Sequence, residues 1–255
     1  VSHISLLPPG KVPVAPSAIR AEGKTFTKNG FEDVSEPRAL ALDEIPSLIE
    51  DYCIAACNAI DAGFDGVEVH AANGYLLDQF LRDSSNKRTD AYGGSIENRT
   101  RLLAEVVQAI CDEIGAGRTG VRLSPVTPVY SAHDSAPQLL FGRVVERLNL
   151  IGGLAFVHVI EGATGGPRDN IAFDYAALRA KFDGAWIANN GYDRTMSERA
   201  ISSGYADAIA YGRPFIANPD LVRRLYENAP LAEVDQATMY GGGAKGYTDY
   251  PALPD

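Results

Sequence analysis

Cysteine is scarce in this chain. Its three thiols, Cys53, Cys57 and Cys111, are odd in number and never stand as a metal- or redox-type pair. A disulfide framework and an iron–sulfur cluster are thereby excluded. Cys53 and Cys57 lie four apart, on one helical face, which reads as buried free thiols and a reducing cytoplasm. Long apolar runs are also missing: none approaches the ~18 residues that suggest a membrane span. No signal peptide opens the chain, and its first residue is Val1. Basic residues are in deficit, 23 Lys and Arg against 33 Asp and Glu, for a net charge of −10. Nucleic acid and anionic membrane surfaces would repel such a chain, although a local basic pocket for one phosphate is still permitted. Lysine is absent from every predicted strand end, which removes the usual nucleophile of Schiff-base barrels.

What remains is an ordinary globular composition, 45% hydrophobic and 22% charged over 255 residues. No internal repeat or linker divides it. Residues 1–40 lack periodicity and read as loops with a short hairpin. Asp43 is placed to cap a helix in which Ile45, Leu48, Ile49, Tyr52, Cys53, Ala56, Cys57 and Ile60 recur at helical spacing. A strand follows at 65–69. Ser95 caps a helix with Leu102, Leu103, Val106, Val107 and Ile110 on its buried stripe. Further strands are expected at Thr119–Leu123, 154–159, Ala185–Asn189 and 206–211. Helices are expected at 139–150 and 173–182 and from a Thr195–Glu198 capping box to Ser203, with two short helices near 213–228. Five strands alternating with helices predict an α/β fold with a parallel sheet.

In such folds chemistry sits at the carboxyl ends of strands. The first strand runs into His70, Asn73 and Tyr75 within six positions, where a substrate would lie. Strand Ala185–Asn189 runs into Asn190-Gly191, and strand 206–211 into Gly212-Arg213. Glycine permits close backbone approach there, and Arg213 adds a fixed charge. The loops after strands seven and eight of a (β/α)8 barrel commonly hold a phosphate. Counting back from that pair makes the first visible strand number four, and five parallel strands cannot close an eight-stranded barrel. Against these readings, Gly191 and Gly212 could be plain turn glycines. Arg122 could pair with Glu68, and Tyr75 could be a packing aromatic. His158 ends a strand alone and reads as structural. The 82–94 loop reads as architectural.

Five segments resemble the Old Yellow Enzyme family of flavin-dependent ene-reductases. They are 63–76, containing His70-Ala71-Ala72-Asn73-Gly74-Tyr75; 85–99, containing Gly93-Gly94-Ser95; Val121-Arg122-Leu123-Ser124-Pro125; 211–220, opening Tyr211-Gly212-Arg213; and 240–251, from Tyr240 to Pro251. The bacterial branch of morphinone, pentaerythritol tetranitrate and N-ethylmaleimide reductases is the nearest in pattern. The resemblance implies a (β/α)8 barrel of which residues 1–255 supply the C-terminal two-thirds of a single flavin-binding domain, with strands four to eight. It implies FMN as cofactor, NADH or NADPH as reductant, and a small-molecule activated alkene as substrate. His70 and Asn73 would bind the substrate's oxygen and Tyr75 would give the proton. Tyr240 would line the substrate pocket. Arg122 would face the flavin, and Asn190, Gly191, Gly212 and Arg213 would hold its phosphate. No metal is implied. The missing first strands lead to the alternative that the chain is the large piece of a split or nicked barrel, active only with a complementary N-terminal fragment. A homo-oligomer is compatible with either reading. A phosphosugar isomerase or aldolase barrel is the competing chemistry, and the strand ends lack the Lys or carboxylate base it would need.

Overall fold

A computed structural model describes residues 1–239 and 243–254. Tyr240, assigned above to the substrate pocket, lies outside the described residues. The lead-in segment forms two small pairings. Strand β1 (Val14–Ala15) runs parallel to β4 (Arg38–Ala39), and β2 (Lys24–Thr27) forms an antiparallel hairpin with β3 (Gly30–Asp33). The hairpin turns at Gly30, whose φ of +99° few other residues adopt.

The remaining strands are β5 (Val67–Ala71), β6 (Thr119–Leu123), β7 (Phe156–Ile160), β8 (Ala185–Asn189) and β9 (Ala208–Ala210). They form one sheet in the order β5-β6-β7-β8-β9, and every pairing is parallel. Side chains alternate along a strand, so neighbours in register share a face. Val69, Val121, Val157 and Trp186 align in one row and point outward, against the helices. Residues one step along each strand, His70, Arg122, His158 and Ile187, form the next row on the inner face. The helices α1 (Ile45–Asp61), α4 (Arg101–Ile114), α5 (Pro137–Ile151), α6 (Tyr175–Arg179) and α7 (Arg194–Ser202) follow in the sequence. Leu102, Val106, Val107, Phe141, Val145 and Leu178 from these helices are buried in the same cluster as the outer strand row. No described helix is long and apolar enough to cross a membrane.

Several local expectations are corrected. Asp43 does not cap α1. The chain enters that helix through a tight turn at Leu42–Glu44, and the Glu44 carboxylate takes the Ala41 N–H (2.8 Å) while paired with Arg38. Thr195 does not open α7. Asp193, two residues earlier, has extended backbone and accepts the Met196 N–H at 2.7 Å, so Thr195 falls inside the helix. Ser95 does cap its helix, but α3 (Ile96–Arg99) breaks from α4 at Thr100, whose hydroxyl bonds back to the Glu97 carbonyl. Helix α6 is shorter than expected because Asp174 caps it from inside the predicted span. Strand β7 sits one or two residues later than expected and β9 is shorter, while β6 and β8 match their predicted bounds. Cys53 and Cys111 are buried and free, and Cys57 is half-buried.

The short helix α2 (Leu76–Leu81) carries the fold's most enclosed ion pair. Arg82 Nε meets Asp78 Oδ1 at 2.8 Å with both side chains sealed from solvent. The guanidinium also donates to the carbonyls of Pro125 (2.7 Å) and Ser124 (2.6 Å), beyond the end of β6. Asp78 Oδ2 accepts the Gly74 N–H at 2.9 Å. One charge pair thereby ties the turn after β5 to the loop after β6. The 82–94 loop is architectural as expected: Asn86 Nδ2 donates to the carbonyls of Phe80 and Tyr92, both at 2.7 Å. Removing one partner of a buried pair strands the other charge. Arg82→Met is therefore expected to destabilise the fold by about 3–5 kcal/mol in urea unfolding. A loss below about 1 kcal/mol would mean the pair does not hold this end of the sheet.

Candidate functional site

The chain leaves β5 through Ala72-Asn73-Gly74-Tyr75. Asn73 and Gly74 both take positive φ, 56° and 71°. Asparagine tolerates that conformation, and glycine is required at the second position. A Cβ on Gly74 would lie 2.9 Å from the Val129 carbonyl oxygen. The Asn73 N–H donates to Ser124 Oγ at 2.7 Å, which pins the turn to the end of β6. Its side-chain Oδ1 accepts from the Thr164 hydroxyl at 2.7 Å, so Nδ2 faces away from Thr164. Tyr75 opens α2 with its ring edge-on to His70, centroids 5.2 Å apart, and its phenol exposed. Tyr130, on the facing loop, stands edge-on to Tyr75 at 6.2 Å. Burial, and then Tyr75, push the Tyr130 phenol pKa up.

His70 is half-buried beside Arg122, its register partner on β6. Burial, and then the positive charge of Arg122, hold the His70 pKa below its ordinary value. The imidazole is therefore neutral at pH 7, with one N–H to give. Arg122 does not pair with Glu68. Glu68 instead accepts from His158 Nδ1 at 2.7 Å, and Arg122 donates to Asn189 Oδ1 at 3.1 Å. Arg122 Nε is buried without a partner, as is His158 Nε2. A guanidinium with an unused donor on a polar inner face is prepared for an external acceptor.

Arg122 and His158 line a cavity of about 670 Å³. Its wall also contains Thr164, Asn190, Gly191, Gly212 and Arg213. The four residues singled out for phosphate binding thus share one space with Arg122. His70, Asn73 and Tyr75 are not among its lining residues; His70 is the register partner of Arg122, and Asn73 is bonded to Thr164. Asn190 (φ 102°) and Gly191 (φ 66°) turn the chain sharply after β8. A Cβ built on Gly191 or on Gly212 would meet nothing within 4 Å, so both backbones face open space. Arg213 begins the short helix α8 (Arg213–Ala217) and rests on the Gly165 carbonyl at 3.3 Å.

Sequence reasoning missed part of this wall. His158 bonds Glu68, as a structural residue would, and it also lines the cavity. Its signal was parity: it holds the same strand-end position as His70 and Arg122. The loop after β7 was not singled out either. Asn190 fastens it, donating through Nδ2 to the carbonyls of Glu161 (2.6 Å) and Ala163 (2.9 Å) and accepting the Gly165 N–H (3.1 Å). Beneath the loop the Glu161 carboxylate is buried among Arg168, Tyr192 and Tyr205. Burial, and then Glu161, push the Tyr192 phenol up to about 12.

Comparison with known proteins bears on this geometry. Residues 7–232 match the NADH:flavin oxidoreductase / NADH oxidase family. The chain is 45% identical over 259 residues to 12-oxophytodienoate reductase 1 of Oryza sativa subsp. japonica, covering 100% of this chain and 67% of that protein. Across curated relatives, the share of their length it spans runs from 59% to 80%. Among solved structures, morphinone reductase in complex with tetrahydroNAD superposes with a TM-score of 0.92 at 43% identity, covering 100% of this chain and 70% of that one. The Old Yellow Enzyme homologue from Zymomonas mobilis gives 0.89 at 45% identity, over 96% of this chain and 69% of that one. The five parallel strands are thus part of a (β/α)8 barrel. From the match over most of its length and the superposition of its sheet, the chain belongs to the NADH:flavin oxidoreductase / NADH oxidase family, the Old Yellow Enzyme family.

Proposed function

We propose that this chain forms the C-terminal two-thirds of a flavin-binding barrel domain and carries the substrate-activating groups of an ene-reductase. Its substrates would be enones, enals, maleimides or nitroalkenes. The observation that supports this best is the cavity in which Arg122 meets the paired strand-end loops of Gly191 and Gly212, with His70 beside Arg122 in the strand row and Asn73 bonded to Thr164 of its wall. The residues fit FMN: Arg122 Nε and His158 Nε2 are buried donors or acceptors without partners, and the glycine backbones leave room for a phosphate. Arg122 would hold the electron-rich edge of the ring system. The N–H groups of Gly191 and Gly212, with Asn190 and Arg213, would hold the phosphate. When bound, FMN supplies the relay of a hydride from NAD(P)H to the alkene's β-carbon.

The chain's own groups then account for the rest of the reduction. His70, as neutral imidazole, and Asn73, through Nδ2, donate to the substrate's carbonyl or nitro oxygen. Negative charge grows on that oxygen as the β-carbon gains hydride, so two fixed donors favour the transition state over the ground state. The Tyr75 phenol passes its proton to the α-carbon and regains one from solvent, which its exposure allows. Tyr240 completes the pocket in this reading. Three free thiols, two of them buried, support a reducing, cytoplasmic setting.

Among the described residues β5 and β9 have no partner on their outer edges, which favours a second reading, in which FMN is held only once a complementary N-terminal segment closes the barrel. Flavin absorbance of the purified chain separates the two. Stoichiometric yellow cofactor on this chain alone supports the first, and colourless protein that gains flavin on adding the segment supports the second.

In the flavin-loaded protein, His70→Ala and Asn73→Ala should each weaken binding of a para-substituted phenol by about 10- to 100-fold, the loss of a donor to a partly charged oxygen. Unchanged affinity in both would contradict the donor pair. Tyr75→Phe should slow alkene reduction by about 10²-fold or more while NAD(P)H still reduces the flavin at the wild-type rate. An unslowed oxidative half-reaction would remove Tyr75 from the mechanism.

The lowered pKa of His70 also sets a stability signature. Above its ordinary pKa of 6.5 the imidazole is neutral, folded or unfolded. Below 6.5 the unfolded chain takes the proton first, and stability falls as pH drops toward the folded value. Urea midpoints from pH 7.5 to 5.5 should therefore fall less steeply in His70→Gln than in wild type. Parallel profiles would show that His70 is not held neutral by its surroundings.

A further inference from the structure

Loop 161–166 lines the cavity and connects it to Asn73 through Thr164. From the anion end, Asn190 and Arg213 grip it through four of its carbonyls and one N–H. From below, Thr127 Oγ1 bonds the Gly162 carbonyl at 2.9 Å and stands 3.1 Å from Thr164 Oγ1. The loop closes on itself through Ala163 N–H to the Pro167 carbonyl at 2.9 Å. Thr164 is therefore carried on backbone fixed from two sides, and its hydroxyl reaches Asn73 Oδ1 at 2.7 Å. Asn73 itself has its N–H committed to Ser124, while among the described residues its Nδ2 has no acceptor.

We propose that Thr164 is a positioning residue for Asn73: by occupying Oδ1 it orients the carboxamide so that Nδ2 is presented to the substrate's oxygen. A free carboxamide flips between offering its oxygen and its nitrogen, and only the nitrogen stabilises a growing negative charge. Thr127 gives its proton to the Gly162 carbonyl, and the Thr164 proton goes to the nearer oxygen, Asn73 Oδ1 at 2.7 Å rather than Thr127 Oγ1 at 3.1 Å, which sets the donor orientation before substrate arrives. The same loop rests on Arg213 and Asn190, so the anion end of the cavity sets the aim of the alkene end. This role rests on the ene-reductase reading of Asn73.

Two variants and two readouts test it. Thr164→Val keeps the shape and removes the hydroxyl, and Thr164→Ser keeps the hydroxyl. In the flavin-loaded protein, Thr164→Val should weaken phenol binding about tenfold, with Thr164→Ser within about twofold of wild type. Placed on Asn73→Ala, Thr164→Val should add no further loss. A Thr164→Val that binds phenol as wild type does, or that loses as much again without Asn73, overturns the proposal. The second readout needs no ligand. In ¹⁵N NMR spectra, the Asn73 side-chain NH₂ pair should move toward free-amide positions in Thr164→Val and stay in place in Thr164→Ser; an unmoved pair in Thr164→Val also overturns it. Should wild type bind no phenol at all, the ene-reductase reading falls, and the NH₂ signals alone decide what Thr164 does to Asn73.

Discussion

Strand register is the constraint on which this molecule depends. Five parallel strands in register place Val69, Val121, Val157 and Trp186 on the helix side. One residue further along, His70, Arg122 and His158 stand in a row on the inside. A slip of one residue in β5, β6 or β7 would drive a charged or imidazole side chain into the helix-packed core and a valine to the inner face. Burial of the outer row and placement of the polar row are thus a single event. The hydrophobic effect that fixes the fold also fixes where the chemistry stands.

Polar ties then refine what register sets coarsely. The sealed Asp78–Arg82 pair locks the turn carrying Asn73 to the end of β6. The Asn190 side chain locks the loop after β7 to the end of β8. Both ties satisfy loop carbonyls that would otherwise be buried without partners. Each strand end is consequently braced by the next, and the phosphate-type glycines inherit fixed positions from the same bracing. The buried Glu161 carboxylate, held by Arg168 and two tyrosines, gives that bracing an ionic centre.

Much of this was legible in the residues. Short apolar runs marked the strands, and β6 and β8 fell at their predicted bounds. Polar residues just past those runs marked the site. Other features were hidden for physical reasons. His158 has no polar neighbour in sequence; its partners, Glu68 and Arg122, are brought by register across two strands. Thr164 sits in a glycine-rich stretch with no period, so only the folded loop shows what it touches. Helix starts shifted at Asp43 and Thr195 because stronger interactions nearby, the Arg38–Glu44 pair and the Asp193 cap, won the competition. The alternative reading of Arg122, a pairing with Glu68, is not what the fold makes: His158 holds that carboxylate.

The central claim is that one cavity serves both an anion and an alkene's polar end, with the barrel's strand row between them. A crystal structure of the protein bound to FMN and a para-substituted phenol tests it most directly. The account predicts the phosphate against the N–H groups of Gly191 and Gly212 beside Arg213, and the phenol oxygen between His70 and Asn73 Nδ2. A phosphate lodged elsewhere, or a phenol oxygen out of reach of both donors, would contradict it.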